Sequence, residues 1–175
     1  VKEKVILVNE RDEPIGLMEK MEAHEKGLLH RAFSVFVVDE DNNLLLQQRA
    51  LSKYHSGGLW TNTCCSHPRE NETTLEAAHR RLQEEMGFDC ELKPLTTFIY
   101  KAELDHGLTE HELDHVFVGQ WRGRPLINRD EAESFVWMNV GDVEVDIAAN
   151  PEKYTVWFKI IYQEFLHHIR HASNR

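Results

Sequence analysis

The stretch TEHELDHVFVGQW, residues 109–121, admits two chemistries that exclude each other. As H-E-x-x-H on a helix, His111 and His115 would stand one turn apart to bind zinc, with a glutamate as base. On a strand, Glu110 and Glu112 stand two apart and share one face. Leu113, His115 and Phe117 alternate with Glu112, Asp114, Val116 and Val118, and VFVGQW continues the motif without a break. That period is a strand's. A zinc-protease helix would run on with an apolar stripe, and this segment has none. The strand reading turns His111 and His115 to the outer face and the two carboxylates together to the other.

Two carboxylates on one face repel if buried, so they either face solvent or share a cation. Upstream donors exist in His24, His30 and His67. Three imidazoles and two carboxylates form a mixed N/O set suited to manganese, iron, zinc or cobalt in five- or six-fold coordination. No regular spacing links the three histidines. CCSHP adds a thiol two residues from His67. On an extended segment Cys64 and Cys65 point to opposite faces, and Cys65 shares its side with His67. Such a thiol could be a nucleophile, a ligand or a proton donor, or a small buried hydrophobe. In RRLQEEMG, Arg80, Arg81, Glu84 and Glu85 share a broad polar face. They could be ordinary surface with an Arg81–Glu85 ion pair, or a magnesium and phosphate site to which Lys20, Arg49 and Lys53 contribute further charge.

The elements that must position these groups read as strands interleaved with two or three helices. KVILVNE is a first strand, RDEPIG a turn and LMEK a short second strand. MEAHEKGLLH is a loop or short helix. RAFSVFVVDE and LLLQQR, joined by DEDNN, predict a β-hairpin in the middle of a sheet. WTNTCC is extended and ends at Pro68. TTLEAAHRRLQEEMG is the clearest helix: Thr73 and Glu76 have capping-box spacing, Leu75, Ala78, Leu82 and Met86 form an apolar stripe, and Gly87 sits where a left-handed C-terminal residue belongs. ELKPLTTFIYKAEL is a strand weakened near Pro94, DHGLT a turn, VFVGQW and SFVWMNV strands. Val140 to Ala149 forms a helix, and PEKYTVWFKIIYQEFLHHI a final one with proline at its start. The fold class is α/β (α+β), a mixed sheet between helices with mostly hairpin-like neighbours.

The chain has 175 residues, 41% hydrophobic and 29% charged, the profile of a globular protein with room for one sizeable core. No repeat, low-complexity tract or linker divides it, so residues 1–175 are expected to form one domain with an N-terminal strand extension and a C-terminal helix. The apolar runs are too short to span a bilayer, and VKEKVILVNE lacks the apolar centre and cleavage site of a secretory signal. A cytoplasmic protein without membrane attachment is expected. The net charge of −10 argues against nucleic-acid binding, although not against a local basic pocket. Three cysteines, two of them adjacent, are not a disulfide framework. Of the 11 histidines, His167, His168 and His171 are expected to be solvated.

ETTLEAAHRRLQEEMGF, Glu72 to Phe88, resembles the Nudix box, G-x5-E-x7-R-E-U-x-E-E-x-G-U with U apolar. Glu72, Arg80, Leu82, Glu84, Glu85, Gly87 and Phe88 fit. Ser66 stands in place of the first glycine, and Arg81 in place of a glutamate of the magnesium cluster of Nudix hydrolases. With GLLHRAFSVFV, LLLQQRALSK, WTNTCCSHP and EHELDHVF, the chain from about Lys20 to Trp157 resembles the type I isopentenyl diphosphate isomerases, a Nudix branch.

That resemblance implies a Nudix-like mixed sheet sandwiched between helices. It implies a divalent metal (manganese, zinc or magnesium) held by His24, His30, His67, Glu110 and Glu112. Cys65 and Glu112 would be the catalytic pair, with Tyr100 assisting Glu112. Glu85 would bind a magnesium that also touches the substrate diphosphate, Lys20, Arg49, Lys53 and Arg81 would contact that diphosphate, and Trp157 would cover the hydrocarbon end. The implied reaction interconverts isopentenyl and dimethylallyl diphosphate, small homoallylic and allylic diphosphates, in a monomer or weak homodimer. Its demand is physical: an alkene takes a proton at one carbon and loses one at another, through a species close to a tertiary carbocation. A thiol, with an ordinary pKa of about 8.5, can exchange a proton either way near neutrality. A carboxylate beside a tyrosine can be its counterpart. An indole face stabilises a passing cation, and water must be kept out. Two other classes fit part of the sequence: a Nudix hydrolase acting on nucleoside diphosphate derivatives, against which Arg81 counts, and a non-catalytic Nudix-like binding module.

Overall fold

The 30–38 segment organises the sheet, because every residue from Ala32 to Val37 is buried and the strand is therefore covered on both faces. The structure, a computed structural model, describes residues 2–172. In chain order these form β1 (Lys4–Val8), β2 (Pro14–Glu19), α1 (Lys20–Lys26), β3 (His30–Val38), β4 (Asn43–Arg49), β5 (Trp60–Thr61), β6 (Cys64–Ser66), α2 (Thr74–Met86), β7 (Leu92–Glu103), β8 (Thr109–Gln120), β9 (Ala132–Asn139), α3 (Val140–Ala149) and α4 (Val156–Ala172). Four α-helices stand where the sequence reading expects two or three. The architecture is the expected mixed sheet between helices.

One edge of β3 pairs in parallel with β8 over its whole length, from His30↔Glu112 to Val38↔Gln120. Its other edge is shared, with β1 at Leu7↔His30, β6 from Phe33↔Ser66 to Val35↔Cys64, and β4 at Val38↔Leu44. The β3–β4 hairpin is therefore closed only at its tip. Beyond it β6 pairs with β3, while β4 pairs with β9 and β5. The expected central hairpin is corrected on this point, and so is the expectation of mostly hairpin-like neighbours. Two successive apolar runs with a turn between them look like partners, yet each is more fully covered by a strand from elsewhere in the chain.

The alternation of β3 sorts the core into two layers. Phe36, Leu44, Leu46 and Val116 pack with Phe158, Ile161, Tyr162 and Phe165 of α4. Phe33, Val35, Val37, Leu45 and Phe117 pack with Ala78, Leu82 and Met86 of α2. Each large side chain so buried contributes roughly 1.5–3 kcal/mol. The capping box of α2 is complete, with the Thr73 side chain accepting from Glu76 N and the Glu76 side chain from Thr73 N. Gly87 closes the helix at φ +71°. Leu75 is corrected to an exposed residue, 40% accessible, and the buried stripe includes Ala77 and Glu85 instead.

Three further boundaries differ from expectation. The second strand begins at Pro14, because Asn9 accepts hydrogen bonds from the Arg11 and Glu13 backbone and shortens the turn. β7 runs through Pro94, whose missing N–H is accommodated at an irregularity between Pro94 and Thr96. The final helix begins at Val156, after a separate 3-10 turn over Pro151–Lys153. Between them Tyr154 bridges to Trp60, and Thr155 donates its N–H to the Trp60 carbonyl at 3.0 Å. His167 is exposed and His168 partly so, while the side chain of His171 lies outside the described residues. Among the described residues no helix is long and apolar enough to cross a membrane.

Candidate active site

β8 carries Glu110, Glu112 and Asp114 on one face, as the strand reading requires, and all three are buried. His111 and His115 face the other way: His111 Nδ1 lies 3.1 Å from the Gly27 carbonyl, and His115 Nε2 bonds Asp12. The parallel register sets His30 directly beside Glu112. α1 brings His24, and the extended run after β6 brings His67. One ligand atom from each of His24, His30, His67, Glu110 and Glu112 can be chosen so that all lie within 4.8 Å of one another, with every residue buried. The three imidazole centroids are 5.0–5.9 Å apart.

The polarity of these rings decides what the cluster accepts. His24 Nδ1 sits 2.7 Å from the Lys20 carbonyl and His30 Nδ1 2.9 Å from the Leu28 carbonyl. A carbonyl only accepts, so each Nδ1 carries the hydrogen and the neutral ring presents an Nε2 lone pair to the cluster. Those two lone pairs face carboxylate oxygens, His24 Nε2 3.3 Å from Glu110 and His30 Nε2 3.3 Å from Glu112, and His67 Nε2 lies 2.9 Å from Glu112. His30 Nε2 is a buried nitrogen with no hydrogen-bond partner. Acceptor facing acceptor in a buried site needs protons or a cation between them. Burial, with the charges of His30 and His24 next, holds His67 well below the usual histidine range. For His24 burial opposes the charged form, but the Glu110 hydrogen bond prevails and raises its pKa. Burial and the Glu112 charge push Glu110 up. Glu112 is held down to about 2, burial opposing and its contacts with His30, Glu110 and Tyr100 prevailing. Three imidazole nitrogens turned into the cluster and two carboxylates fit a divalent transition ion.

Tyr100, opposite Glu112 in the β7–β8 register, donates its hydroxyl to Glu112 Oε1. The adjacent cysteines divide between the two faces. Cys64 points to α2, where its thiol donates to Glu85 at 3.4 Å. Cys65 points to the face of Glu112, and its thiol donates to Asn62 Oδ1 at 3.0 Å and lies 3.5 Å from Ser34 Oγ. Burial and the nearby Asp114 charge raise the Cys65 pKa, which keeps it a thiol.

A cavity of about 120 Å³ joins these groups. Cys65, His24, His67, Glu110 and Glu112 line it together with Lys20, Arg49, Lys53, Arg81, Glu85 and Trp157. Arg81 is turned inward and pairs with Glu85 at 2.9 Å, whereas Arg80 grips Glu72 with two nitrogens on the outer side. The broad polar face therefore splits in two. Glu85 lies outside the five converging atoms; Gln47, Cys64 and Arg81 surround its carboxylate. Trp157 is 3% exposed, with the Arg49 guanidinium 4.9 Å from its ring centroid. The cavity also includes groups the sequence reading does not single out. His55 meets Trp157 edge-on at 5.6 Å, and burial, with the Arg49 charge next, lowers its pKa to about 3. Glu3 pairs with Lys20 at 3.1 Å, and Glu131 pairs with Lys53 and Arg81. His55 had a signal in its place within KYHSGG beside Lys53; Glu3 and Glu131 had none, since their partners are distant in sequence.

Residues 28–158 match the NUDIX domain family. The chain is 53% identical over 157 residues to isopentenyl-diphosphate Delta-isomerase 2 of Aromatoleum aromaticum, covering 90% of this chain and 83% of that protein. It is 54% identical over 159 residues to isopentenyl-diphosphate Delta-isomerase 2 of Photorhabdus laumondii, covering 91% of this chain and 90% of that protein. Among solved structures it is similar to the DR0079 protein from Deinococcus radiodurans, with TM-score 0.71 and 22% identity over 85% of this chain and 90% of that one. A MutT protein from Methanosarcina mazei superposes with TM-score 0.65 and 15% identity, over 79% and 94% of the two chains. The last two likenesses speak to fold alone.

Proposed function

The chain belongs to the NUDIX family and, within it, to the isopentenyl-diphosphate Delta-isomerases, and from that premise we propose that this enzyme interconverts isopentenyl and dimethylallyl diphosphate, with Cys65 and Glu112 as its two proton-handling groups. The observation that carries the reading is the shared cavity: a protonated thiol, a buried carboxylate, four cations and an indole line one small space, with Tyr100 behind the carboxylate. In this reading Lys20, Arg49, Lys53 and Arg81 bind the diphosphate, which fixes the hydrocarbon tail among Cys65, Glu112 and Trp157. Remote binding of this kind orients the alkene without touching it.

Cys65 gives its proton to one carbon of the alkene, or takes one, according to direction, and Asn62 holds the thiol in place. Glu112 exchanges the second proton, and Tyr100 supplies a hydrogen bond that strengthens as the carboxylate regains charge. The face of Trp157 offers electron density to the transient cation. Burial of the cluster keeps water from capturing that cation as an alcohol. His24, His30, His67, Glu110 and Glu112 would hold the divalent ion, and Glu85 a magnesium that arrives with the diphosphate. When bound, these ions supply positive charge that keeps the Glu112 carboxylate ionised and neutralises phosphate oxygens. We further propose that residues 1–175 act as one domain and that the enzyme works in the cytoplasm as a monomer or weak homodimer.

The test is conversion of isopentenyl diphosphate by the purified enzyme, with and without a chelator, alongside elemental analysis of the untreated protein. Isomerisation lost with chelator and regained on adding a divalent ion is the expected result. Release of phosphate or of a nucleoside monophosphate, with no isomerisation, would make the protein a hydrolase. Neither activity, with no bound transition metal, would make it a binding module.

A further inference from the structure

The loop before β9 delivers a carboxylate into the cavity where the reading above needs cations to be free. Leu126 N donates to the Met86 carbonyl and Asn128 N to the Glu85 carbonyl, each at 2.9 Å, so the loop is stitched to the end of α2. Gly87 permits this approach, since a Cβ there would stand 2.3 Å from the Leu126 carbonyl oxygen. The loop then turns at Asn128, whose carbonyl accepts from both Glu131 N and Ala132 N at 2.9 Å. Ala50 N donates to the Glu131 carbonyl at 3.0 Å, beside Arg49. The backbone of Glu131 is thus fixed on both sides. Its side chain is only 21% exposed. The carboxylate bonds Lys53 Nζ and lies 3.2 Å from Arg81 Nη2. That same Arg81 nitrogen is 2.9 Å from Glu85.

An oxygen held between a lysine and an arginine has the partners of a phosphate oxygen. The cavity lining sets Lys20, Arg49, Lys53 and Arg81 against Glu3, Glu85, Glu110, Glu112 and Glu131, four cationic groups against five carboxylates. That lining is poor compensation for a multiply charged diphosphate. A diphosphate already carrying a divalent cation brings its own compensation, and its cation gives the displaced carboxylates a new partner.

We propose that Glu131 is a specificity-determining residue, standing in for a phosphate oxygen between Lys53 and Arg81 so that the cavity accepts a metal-complexed diphosphate and rejects a bare one. The inference rests on the reading of this cavity as a diphosphate site. Glu131 differs from Glu85 in its role: it competes with the anion for the two cations, and its removal frees Lys53 and leaves Arg81 paired with Glu85.

The experiment is calorimetric titration of the intact enzyme with inorganic pyrophosphate, in magnesium-free buffer and in excess magnesium. For the wild type, magnesium should strengthen binding at least tenfold. For Glu131→Gln, affinity in magnesium-free buffer should rise at least tenfold while affinity in magnesium changes less than threefold, so that the magnesium dependence collapses. Glu131→Ala, which leaves no amide to bond the cations, should shift in the same direction. Circular dichroism and a melting curve establish that each variant is folded. If a folded variant keeps the wild-type magnesium dependence, or binds bare pyrophosphate more weakly, the competition idea is wrong although the diphosphate site stands. If the wild type binds pyrophosphate in neither buffer, the diphosphate reading falls and this inference with it.

Discussion

Tyr100 and Glu112 are cross-strand partners in the β7–β8 register, and the hydroxyl of the first donates to Oε1 of the second. Both residues are buried. Burial and the Glu112 charge raise the Tyr100 pKa well above the usual tyrosine range, so the phenol stays protonated and can only donate from this position to the charged carboxylate. Tyr100→Phe keeps the ring and deletes the donor. The expected outcome is a fall of about 100-fold in kcat with KM changed little, because proton transfer loses support while diphosphate contacts remain. A larger change in KM than in kcat, in steady-state assays with isopentenyl diphosphate, would reassign Tyr100 to substrate binding.

The two adjacent cysteines should separate cleanly. Cys65 faces Ser34 and Asn62 on the side of Glu112, and Cys64 faces Glu85 and the α2 core. On the proposed reading Cys65→Ala removes a proton-handling group, so incorporation of deuterium from solvent into substrate should fall at least ~1,000-fold with the melting temperature nearly unchanged. Cys64→Ala leaves a void in a packed layer and should cost about 1–3 kcal/mol in urea denaturation with exchange largely retained. Comparable exchange losses in both variants would mean that strand displacement, not chemistry, lies behind the Cys65 effect.

Much of this division was legible in residue types and period. The two-residue spacing of Glu110 and Glu112 against the continuing VFVGQW gave the strand and its faces, and the alternation of Cys64 with Cys65 gave their opposite directions. The helix from Thr74 to Met86 was marked at both ends by Thr73 and Gly87. What could not be read locally was pairing between distant segments. The parallel alignment of His30 with Glu112 is set by the whole length of β3 against β8, and no interval in the sequence encodes it. The three histidines could be offered as a metal set from residue type, but no interval links them, and the resemblance had to supply the grouping, since α1, β3 and the run after β6 are brought together by the fold. Leu75 misled because a stripe at helical period has an edge, and its first member falls on the exposed side of that edge. Glu131 was invisible for a like reason: its partners Lys53 and Arg81 are 78 and 50 residues away.

Gly87 ties stability to the cavity. At φ +71° a side chain is strained, and its Cβ would meet the Leu126 carbonyl oxygen at 2.3 Å. Gly87→Ala should therefore cost more than the ~1 kcal/mol of left-handed backbone strain alone, because the loop that carries Glu131 must move away from α2. The prediction is a loss of about 2–4 kcal/mol in urea denaturation, accompanied by a changed KM. Thr73→Ala, at the other end of the same helix and remote from the cavity loop, should cost about 1 kcal/mol and leave KM alone. Equal KM effects from the two would show that helix stability in general governs the cavity.

Asp146 supplies a stability term whose pH dependence can be isolated. Its carboxylate on α3 accepts from Tyr154, Lys153 and Asn150, and these hydrogen bonds, Tyr154 first, hold its pKa down to about 2 from an ordinary 3.8. A group depressed on folding stabilises the fold fully above its unfolded pKa, and that contribution is lost as pH falls toward the folded value. The difference in stability between wild type and Asp146→Asn should thus be constant from about pH 7 to pH 5, narrow below about pH 4 and vanish near pH 2. Urea melts of both proteins across that range measure it. The consequence reaches the cavity because Tyr154 is held at β5 by its bridge to Trp60 and leads directly into α4, where Trp157 stands one turn later. Loosening that anchor should raise KM for isopentenyl diphosphate modestly at neutral pH. A stability gap that stays constant down to pH 3 would show that Asp146 acts through packing and not through its charge.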